Sequence, residues 1–137
     1  NDQFVSLHKE VELIENYLAL EKVRYYDRVA ITFTKAVPKD VLVAPLLFLT
    51  FVENAFKHGV SQELEKAIIE IEITVKDAYI YFTISNSIAT NKVYSNKQGI
   101  GLKNVKKQLE LLYDNAHSLE IKEEKERFQI SLKLQSK

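Results

Sequence analysis

The chain contains no cysteine, methionine or tryptophan, and only two prolines and three glycines among its 137 residues. The lack of cysteine excludes disulfides, thiolate metal ligands and a cysteine nucleophile, and it favours a reducing compartment. Nineteen basic residues balance nineteen acidic ones, so the overall charge does not indicate nucleic acid or an anionic membrane as a partner. No apolar run approaches the roughly 20 residues that span a bilayer, and the first residues do not form a signal peptide. Because the chain does not begin with methionine, we expect a fragment of a longer protein, with room for a membrane segment upstream.

Apolar residues at intervals of three and four predict three helices. The first covers about residues 6–25, the second runs from Leu46 to Phe56 with Pro45 in its first turn, and the third follows residue 98. The second helix is apolar nearly all round, which predicts burial on most sides. On the first helix, the apolar stripe through Leu7 either packs on the domain or continues a coiled coil upstream.

Alternation of apolar and polar residues predicts five strands, at 29–34, 67–75, 79–84, 119–122 and 128–134. Residues 85–98 show neither period and form a connection much longer than usual, which is typical of a lid or of disorder. Helices grouped against one face of a largely antiparallel sheet make the predicted fold an α+β two-layer sandwich.

The end of the second helix carries a polar signature, residues 51–59, on an otherwise apolar segment. Asn54, Lys57 and His58 lie three and four residues apart, which predicts that they share one face, and unpaired polar groups on such a face favour a cleft. The amide oxygen of Asn54 suits magnesium, Lys57 offers a charge to phosphate oxygens, and His58 can donate a hydrogen bond to the same anion.

Glu53 precedes this face and points about 100° away from it, where it could polarise an attacking group or position a water. The alternative is an ordinary helix end, with Lys57 and His58 near the negative pole of the helix and Gly59 as its C-terminal cap. Both interpretations stay open at this point.

The other two glycines, Gly99 and Gly101, stand where the long connection becomes the third helix. There they let backbone amides approach a phosphate at the positive end of the helix. A lone Gly-x-Gly is weak because ordinary turns match it too, and neither a Walker loop nor a dinucleotide fingerprint is present. The long connection before it and the polar helix earlier in the chain strengthen the prediction.

Together these features resemble the ATP-binding domain of sensor histidine kinases, in the superfamily that includes gyrase, Hsp90 and MutL, and especially the autolysin-regulator branch. Residues 52–59 look like the N box, residues 99–105 look like the second glycine box, and residues 15–24 are similar to the segment that this branch carries just before the domain. The resemblance covers nearly the whole chain. It implies a Bergerat-type fold, with a mixed, mostly antiparallel sheet and three helices on one face.

The resemblance also implies the organisation of the chain. Residues 1–26 would link to an upstream dimerisation and phosphoacceptor segment, and residues 27–137 would form the ATP-binding catalytic domain, with a lid at 85–98. The implied reaction transfers the γ-phosphate of ATP, with Mg²⁺, to a histidine outside this fragment. The implied setting is a homodimeric bacterial inner-membrane protein that serves a response regulator, with this domain in the cytoplasm. The fragment alone is expected to be inactive because the acceptor segment is missing.

By the same resemblance, Glu53 assists phosphoryl transfer and Asn54 holds magnesium. The implied nucleotide and phosphate contacts are Lys57, His58, Asn86, Gly99, Gly101, Leu102 and Asn104.

Two departures from the family pattern stand out. Asn86 takes the place of the usual aspartate that reads the adenine amine, and the first glycine box is degenerate, so we expect modest nucleotide affinity. A strand-end asparagine that forms a local turn is the alternative for Asn86. Neither His8 nor His117 has a phosphoacceptor context. An ATPase in which Glu53 activates water, and a pseudokinase or interaction module, therefore remain alternatives to the kinase.

Overall fold

The computed structural model describes residues 3–60, 66–87 and 99–137. Within these ranges the chain forms three α-helices and seven strands. In chain order they are β1 Val5–Ser6, α1 Leu7–Tyr25, β2 Val29–Ala36, β3 Leu42–Val43, α2 Leu47–His58, β4 Ala67–Lys76, β5 Tyr79–Ser87, α3 Gly99–Tyr113, β6 His117–Glu123 and β7 Arg127–Gln135. A 3₁₀ turn, Tyr26–Arg28, joins α1 to β2.

Five strands make one mixed sheet in the order β2-β4-β5-β7-β6. The β2 and β4 strands are parallel, and the other neighbours are antiparallel. Along β4, alternate residues are buried, so Ile69, Ile71 and Ile73 face the helices while glutamates between them face solvent. The two-layer α+β sandwich expected from the sequence is confirmed.

The central helix α2 lies on the buried face of the sheet through aromatic contacts. The rings of Phe48 and Phe51 stand 4.9 and 5.7 Å from the ring of Phe82 on β5. All three side chains are essentially fully buried. Rings of this size contribute a large share of the apolar area that a small domain buries, so they fix α2 on the sheet.

The first helix packs into the same core, which decides between the two interpretations of its apolar stripe. Leu7, Val11, Ile14 and Leu18 are all buried within the domain. The beginning of α1 is also tied down, because Asp40 accepts hydrogen bonds from the Ser6 hydroxyl at 2.5 Å and from the backbone of His8 at 3.0 Å. The apolar stripe of α1 therefore packs on the domain, and the link of residues 1–26 to an upstream segment stays a prediction.

The second helix begins later than predicted. Leu46 adopts a left-handed backbone with φ of 61°, which breaks the helical path, so Pro45 lies in the turn before the helix and not in its first turn. The Glu10 carboxylate of α1 accepts a hydrogen bond from the Leu46 amide at 2.7 Å, which places negative charge at the start of α2. Burial raises the pKa of Glu10.

The fifth strand extends into the predicted lid, so a lid beginning at residue 85 is wrong. Residues 85–87 pair with β7, and Ser85 and Asn86 also pair with β4, so that Asn86 lies opposite both Ile69 and Phe128. Backbone hydrogen bonds to two neighbours hold these polar residues in a strand, although their own side chains do not predict one. The rest of the predicted lid, 88–98, lies outside the described residues. Among the described helices, none has the length and apolar character that crossing a membrane requires.

Candidate functional site

The end of α2 meets the end of β5 at Gly59 and Asn86. A Cβ on Gly59 would stand 2.5 Å from the Ala55 carbonyl oxygen and 2.5 Å from Nδ2 of Asn86. The φ of Gly59 is −106°, so this glycine is needed for close approach and not for a left-handed cap. The two segments that the sequence separates by 27 positions thus share one place in the fold.

Asn86 is 3% exposed, and its Nδ2 donates a hydrogen bond to the Ser87 carbonyl at 3.1 Å. This residue lies within a strand, so the local-turn interpretation is wrong. Its amide keeps an oxygen that can accept a hydrogen bond, which is the property that adenine recognition requires.

Asn54 lies on the side of α2 that faces the body of the domain. Its side chain is 7% exposed, and no hydrogen bond reaches its amide from any residue that the structure describes. Its side chain can offer an amide oxygen and an NH₂ group to a ligand at this position. The described residues contain no cluster of three or more histidine, aspartate or glutamate side chains that could hold a metal. A hard oxygen from Asn54 together with phosphate oxygens stays the predicted donor set for Mg²⁺.

Lys57 lines a cleft next to α1, together with Glu53; that it also shares a face with Asn54 stays a prediction. Glu53 and Lys57, four residues apart, both line an open cleft of about 490 Å³ between α2 and α1. A helix turns by about 100° per residue, so Lys57 lies about 40° from Glu53 and about 60° from Asn54 around the helix axis, between the two. The remaining residues that line the cleft are Tyr17, Glu21, Arg24, Tyr25 and Phe56.

His58 is half-buried at the end of α2. Partial burial, and secondly the charge of Lys57, lower its pKa. The neutral imidazole is therefore favoured. In this form His58 can still donate a hydrogen bond to an anion, but it does not add a second positive charge next to Lys57.

The third helix begins at Gly99, as the sequence predicts, so Gly99 and Gly101 lie in its first turn. The first amides of a helix have no partner within the helix, and they can donate to an anion. Leu102 is 1% exposed in the core, so any phosphate contact at this position belongs to its backbone and not to its side chain. Asn104 is exposed. The functional roles of all these residues stay predictions.

No protein-family model matches the chain. The sensor histidine kinase BtsS of Escherichia coli is 27% identical over 122 residues, which is 87% of this chain and 21% of BtsS. The sensor protein LytS of Staphylococcus saprophyticus is 30% identical over 140 residues, which is 93% of this chain and 24% of LytS. The chain belongs to the sensor histidine kinase family. It spans about a fifth to a quarter of the length of these curated relatives.

Solved structures of this family share the fold. A mycobacterial sensor histidine kinase, MprB, has a TM-score of 0.65 at 15% identity, with 98% of this chain and 97% of that chain covered. The catalytic domain of the histidine kinase ThkA has a TM-score of 0.62 at 14% identity, with 96% and 95% covered. The family and fold expected from the resemblance are confirmed, and LytS is consistent with the expected branch.

The sequence does not predict that residues of α1 line a cleft next to the polar signature of α2. It identifies residues 15–24 only as a family-like segment, yet Tyr17, Glu21 and Arg24 of that segment line the cleft with Glu53 and Lys57. The available signal was their spacing of four and three, which places three polar side chains on one side of a helix. The sequence does not reveal which element that side faces.

Proposed function

We propose that this chain binds ATP with Mg²⁺ and is the catalytic domain that transfers the γ-phosphate to a histidine outside the chain. The observation that carries the proposal is the mostly buried side chain of Asn54, which makes no hydrogen bond with any described residue, about one turn before the junction of Gly59 with Asn86. The family of the relatives supports the same activity.

The residues divide the work by their chemistry. Asn54 would hold Mg²⁺, which neutralises phosphate charge when bound, and Asn86 would accept a hydrogen bond from the adenine amine. Lys57 and His58 would contact phosphate oxygens, while the first amides of α3 would donate to them. Glu53 would orient or polarise the attacking group. Phosphoryl transfer depends mostly on such positioning and charge neutralisation, so little covalent chemistry is needed from the protein.

The acceptor histidine belongs, in this proposal, to a dimerisation segment of the same protein, and the phosphoryl group then passes to a response regulator. We infer that the chain alone is inactive in transfer, because His8 and His117 do not serve as acceptors. His8 is exposed, with Nε2 3.2 Å from the Val37 carbonyl and Nδ1 3.9 Å from an Asp40 oxygen. His117 opens β6, and its buried Nδ1 has no hydrogen-bond partner among the described residues.

Calorimetric titration with a non-hydrolysable ATP analogue, with and without Mg²⁺, tests the proposal. We expect magnesium-dependent binding that Asn54→Ala abolishes and that the matched exposed variant Asn16→Ala retains. No binding at millimolar nucleotide would contradict the proposal and favour the interaction module. Product analysis completes the test: phosphohistidine on the longer protein supports the kinase, whereas steady phosphate release without it supports the ATPase.

A further inference from the structure

One side of α1 forms a wall opposite the catalytic signature. Tyr17, Glu21 and Arg24 face the cleft that Glu53 and Lys57 line from α2. The two helices are held together there by Phe56, which is 1% exposed and whose ring stands 5.7 Å from the ring of Tyr17 and 6.0 Å from that of Tyr25. The distance between the two walls is therefore fixed by aromatic packing.

Glu21 is the unusual member of this wall, because it is a carboxylate only 7% exposed. The Tyr17 hydroxyl donates a hydrogen bond to Oε2 at 3.3 Å, and the Arg24 guanidinium lies 3.8 Å from Oε1. Each oxygen of the carboxylate thus has a polar neighbour on α1. Burial and these two contacts therefore hold the Glu21 carboxylate in place on the α1 wall, unlike a carboxylate on an exposed side chain.

The cleft brings this carboxylate into the neighbourhood of the signature. Burial, followed by the charges of Glu21 and Glu53, raises the pKa of the Tyr17 phenol, so both carboxylates act on the same hydroxyl. Lys57 lines the same cleft from the α2 wall. A lysine side chain is long and flexible and ends in a compact ammonium charge. A carboxylate on a neighbouring helix attracts this ammonium group and narrows the range of positions that it occupies.

We propose that Glu21, held by Tyr17 and Arg24, is a positioning residue that orients Lys57 for the phosphates of the nucleotide. The inference rests on the proposed function. Its logic is that of other phosphoryl-transfer enzymes, in which a glutamate from a separate helix holds the phosphate-binding lysine in place. The family-like segment of α1 then belongs to the catalytic machinery and is more than a connection to the rest of the protein.

A double-mutant cycle on nucleotide affinity tests the proposal. Affinity for the magnesium complex of a non-hydrolysable ATP analogue is measured by calorimetry in four proteins: the unchanged chain, Glu21→Gln, Lys57→Met and the double variant. We expect Glu21→Gln to weaken binding by about threefold to tenfold when Lys57 is present and to have no effect when Lys57 is methionine. Glu12→Gln, an equal change of charge at an exposed position on α1, leaves affinity unchanged.

Tyr17→Phe provides a second variant that keeps the ring on Phe56 and removes only the hydrogen bond to Glu21. We expect a smaller loss of affinity in the same direction, again dependent on Lys57. Equal losses in both Lys57 backgrounds would show a merely structural role, and tighter binding by Glu21→Gln would show that the carboxylate competes with phosphate; either result overturns the proposal. If the unchanged chain binds no nucleotide, the proposed function fails first, and this inference fails with it.

Discussion

The two sides of α2 differ in what their polar residues have as neighbours. On one side, Asn54 is buried against the domain with no hydrogen bond to its amide from the described residues, and Gly59 touches Asn86 at the end of β5. On the other side, Glu53 and Lys57 face an open cleft lined by further charged residues of α1. In the proposed function, the first side holds the metal ion and the second is a charged cleft lined by residues of both helices.

This difference shows that the short polar signature at the end of α2 contributes residues to two surfaces of the domain. Residues 53 to 58 are contiguous in sequence, but the helix turns by about 100° per residue, so Glu53 and Asn54 point in different directions and Lys57 lies between them. A substitution at position 54 is therefore expected to weaken the binding of magnesium and nucleotide. A substitution at position 53 or 57 is expected to change the contacts with α1 as well. The predictions below separate the two sides.

The largest effect is expected where the two helices meet. Phe56→Ala removes the ring that packs on Tyr17 and Tyr25, and we expect a loss of about 3–5 kcal/mol in the free energy of unfolding. Urea denaturation measures it. Leu111→Ala, at a side chain that is 83% exposed on α3, is the control and should change stability little. A loss at Phe56 as small as that of the control would show that aromatic packing does not hold the wall in place.

Gly59→Ala should come next, since its Cβ would press on the Ala55 carbonyl and the Asn86 amide. We expect a loss of about 1–3 kcal/mol by urea denaturation. Combining it with Asn86→Ala relieves one of the two contacts, so the added cost of the Gly59 change should fall in that background. Equal costs with and without the Asn86 side chain would mean that the two segments do not meet as described.

Asn54→Ala should separate stability from binding. Because the amide has no partner among the described residues, we expect its removal to change the stability of the nucleotide-free chain by less than about 1 kcal/mol. Bound nucleotide stabilises the unchanged chain by about 2.7 kcal/mol at a free concentration of about 100 Kd, and the variant should lose this increment. Thermal unfolding with and without the magnesium–nucleotide complex measures both. A large loss without nucleotide would identify Asn54 as a structural residue.

The smallest effect concerns His58, whose pKa is lowered first by burial and then by the charge of Lys57. Lys57→Met should raise the pKa of His58 only part of the way to its ordinary value, because the larger cause remains. Proton NMR titration of the imidazole measures this. The folded chain binds this proton less readily than the unfolded chain. The free energy of unfolding therefore decreases as the pH falls from above the ordinary pKa of histidine to below the lowered pKa of His58 in the folded chain. If the pKa of His58 is unchanged in Lys57→Met, the ammonium group of Lys57 does not lie close enough to His58 to affect its imidazole.

Much of the fold follows from local periodicity. Strong patterns located all three helices and the five strands of the main sheet, because residues such as Ile69 and Ile71 must alternate if one face is to be buried. The two-residue strands β1 and β3 were missed, since they are too short to show a period. The sequence predicts a loop at residues 85–87 because their side chains are polar and show no alternation. In the structure they belong to β5 because they pair with strands that are distant in sequence, which no local pattern reveals.

The site was predicted less completely than the fold. The residues of the signature were recognised, and the structure brings Gly59 beside Asn86, a contact that depends on tertiary packing. The cleft that Lys57 lines, and the wall around Glu21, depend on which helix lies opposite α2. That information is a property of the packed domain and is absent from the spacing of residues along the chain.

The central claim is that magnesium binds on the Asn54 side of α2 and not in the cleft toward α1. Adding Mn²⁺, which prefers similar oxygen ligands, to the nucleotide-bound chain and following NMR line broadening tests it directly. The account predicts that the side-chain amide signal of Asn54 broadens at the lowest Mn²⁺ concentrations, before the ring signals of Tyr17 and Tyr25. Broadening that begins with those two rings would place the metal in the cleft and contradict the account.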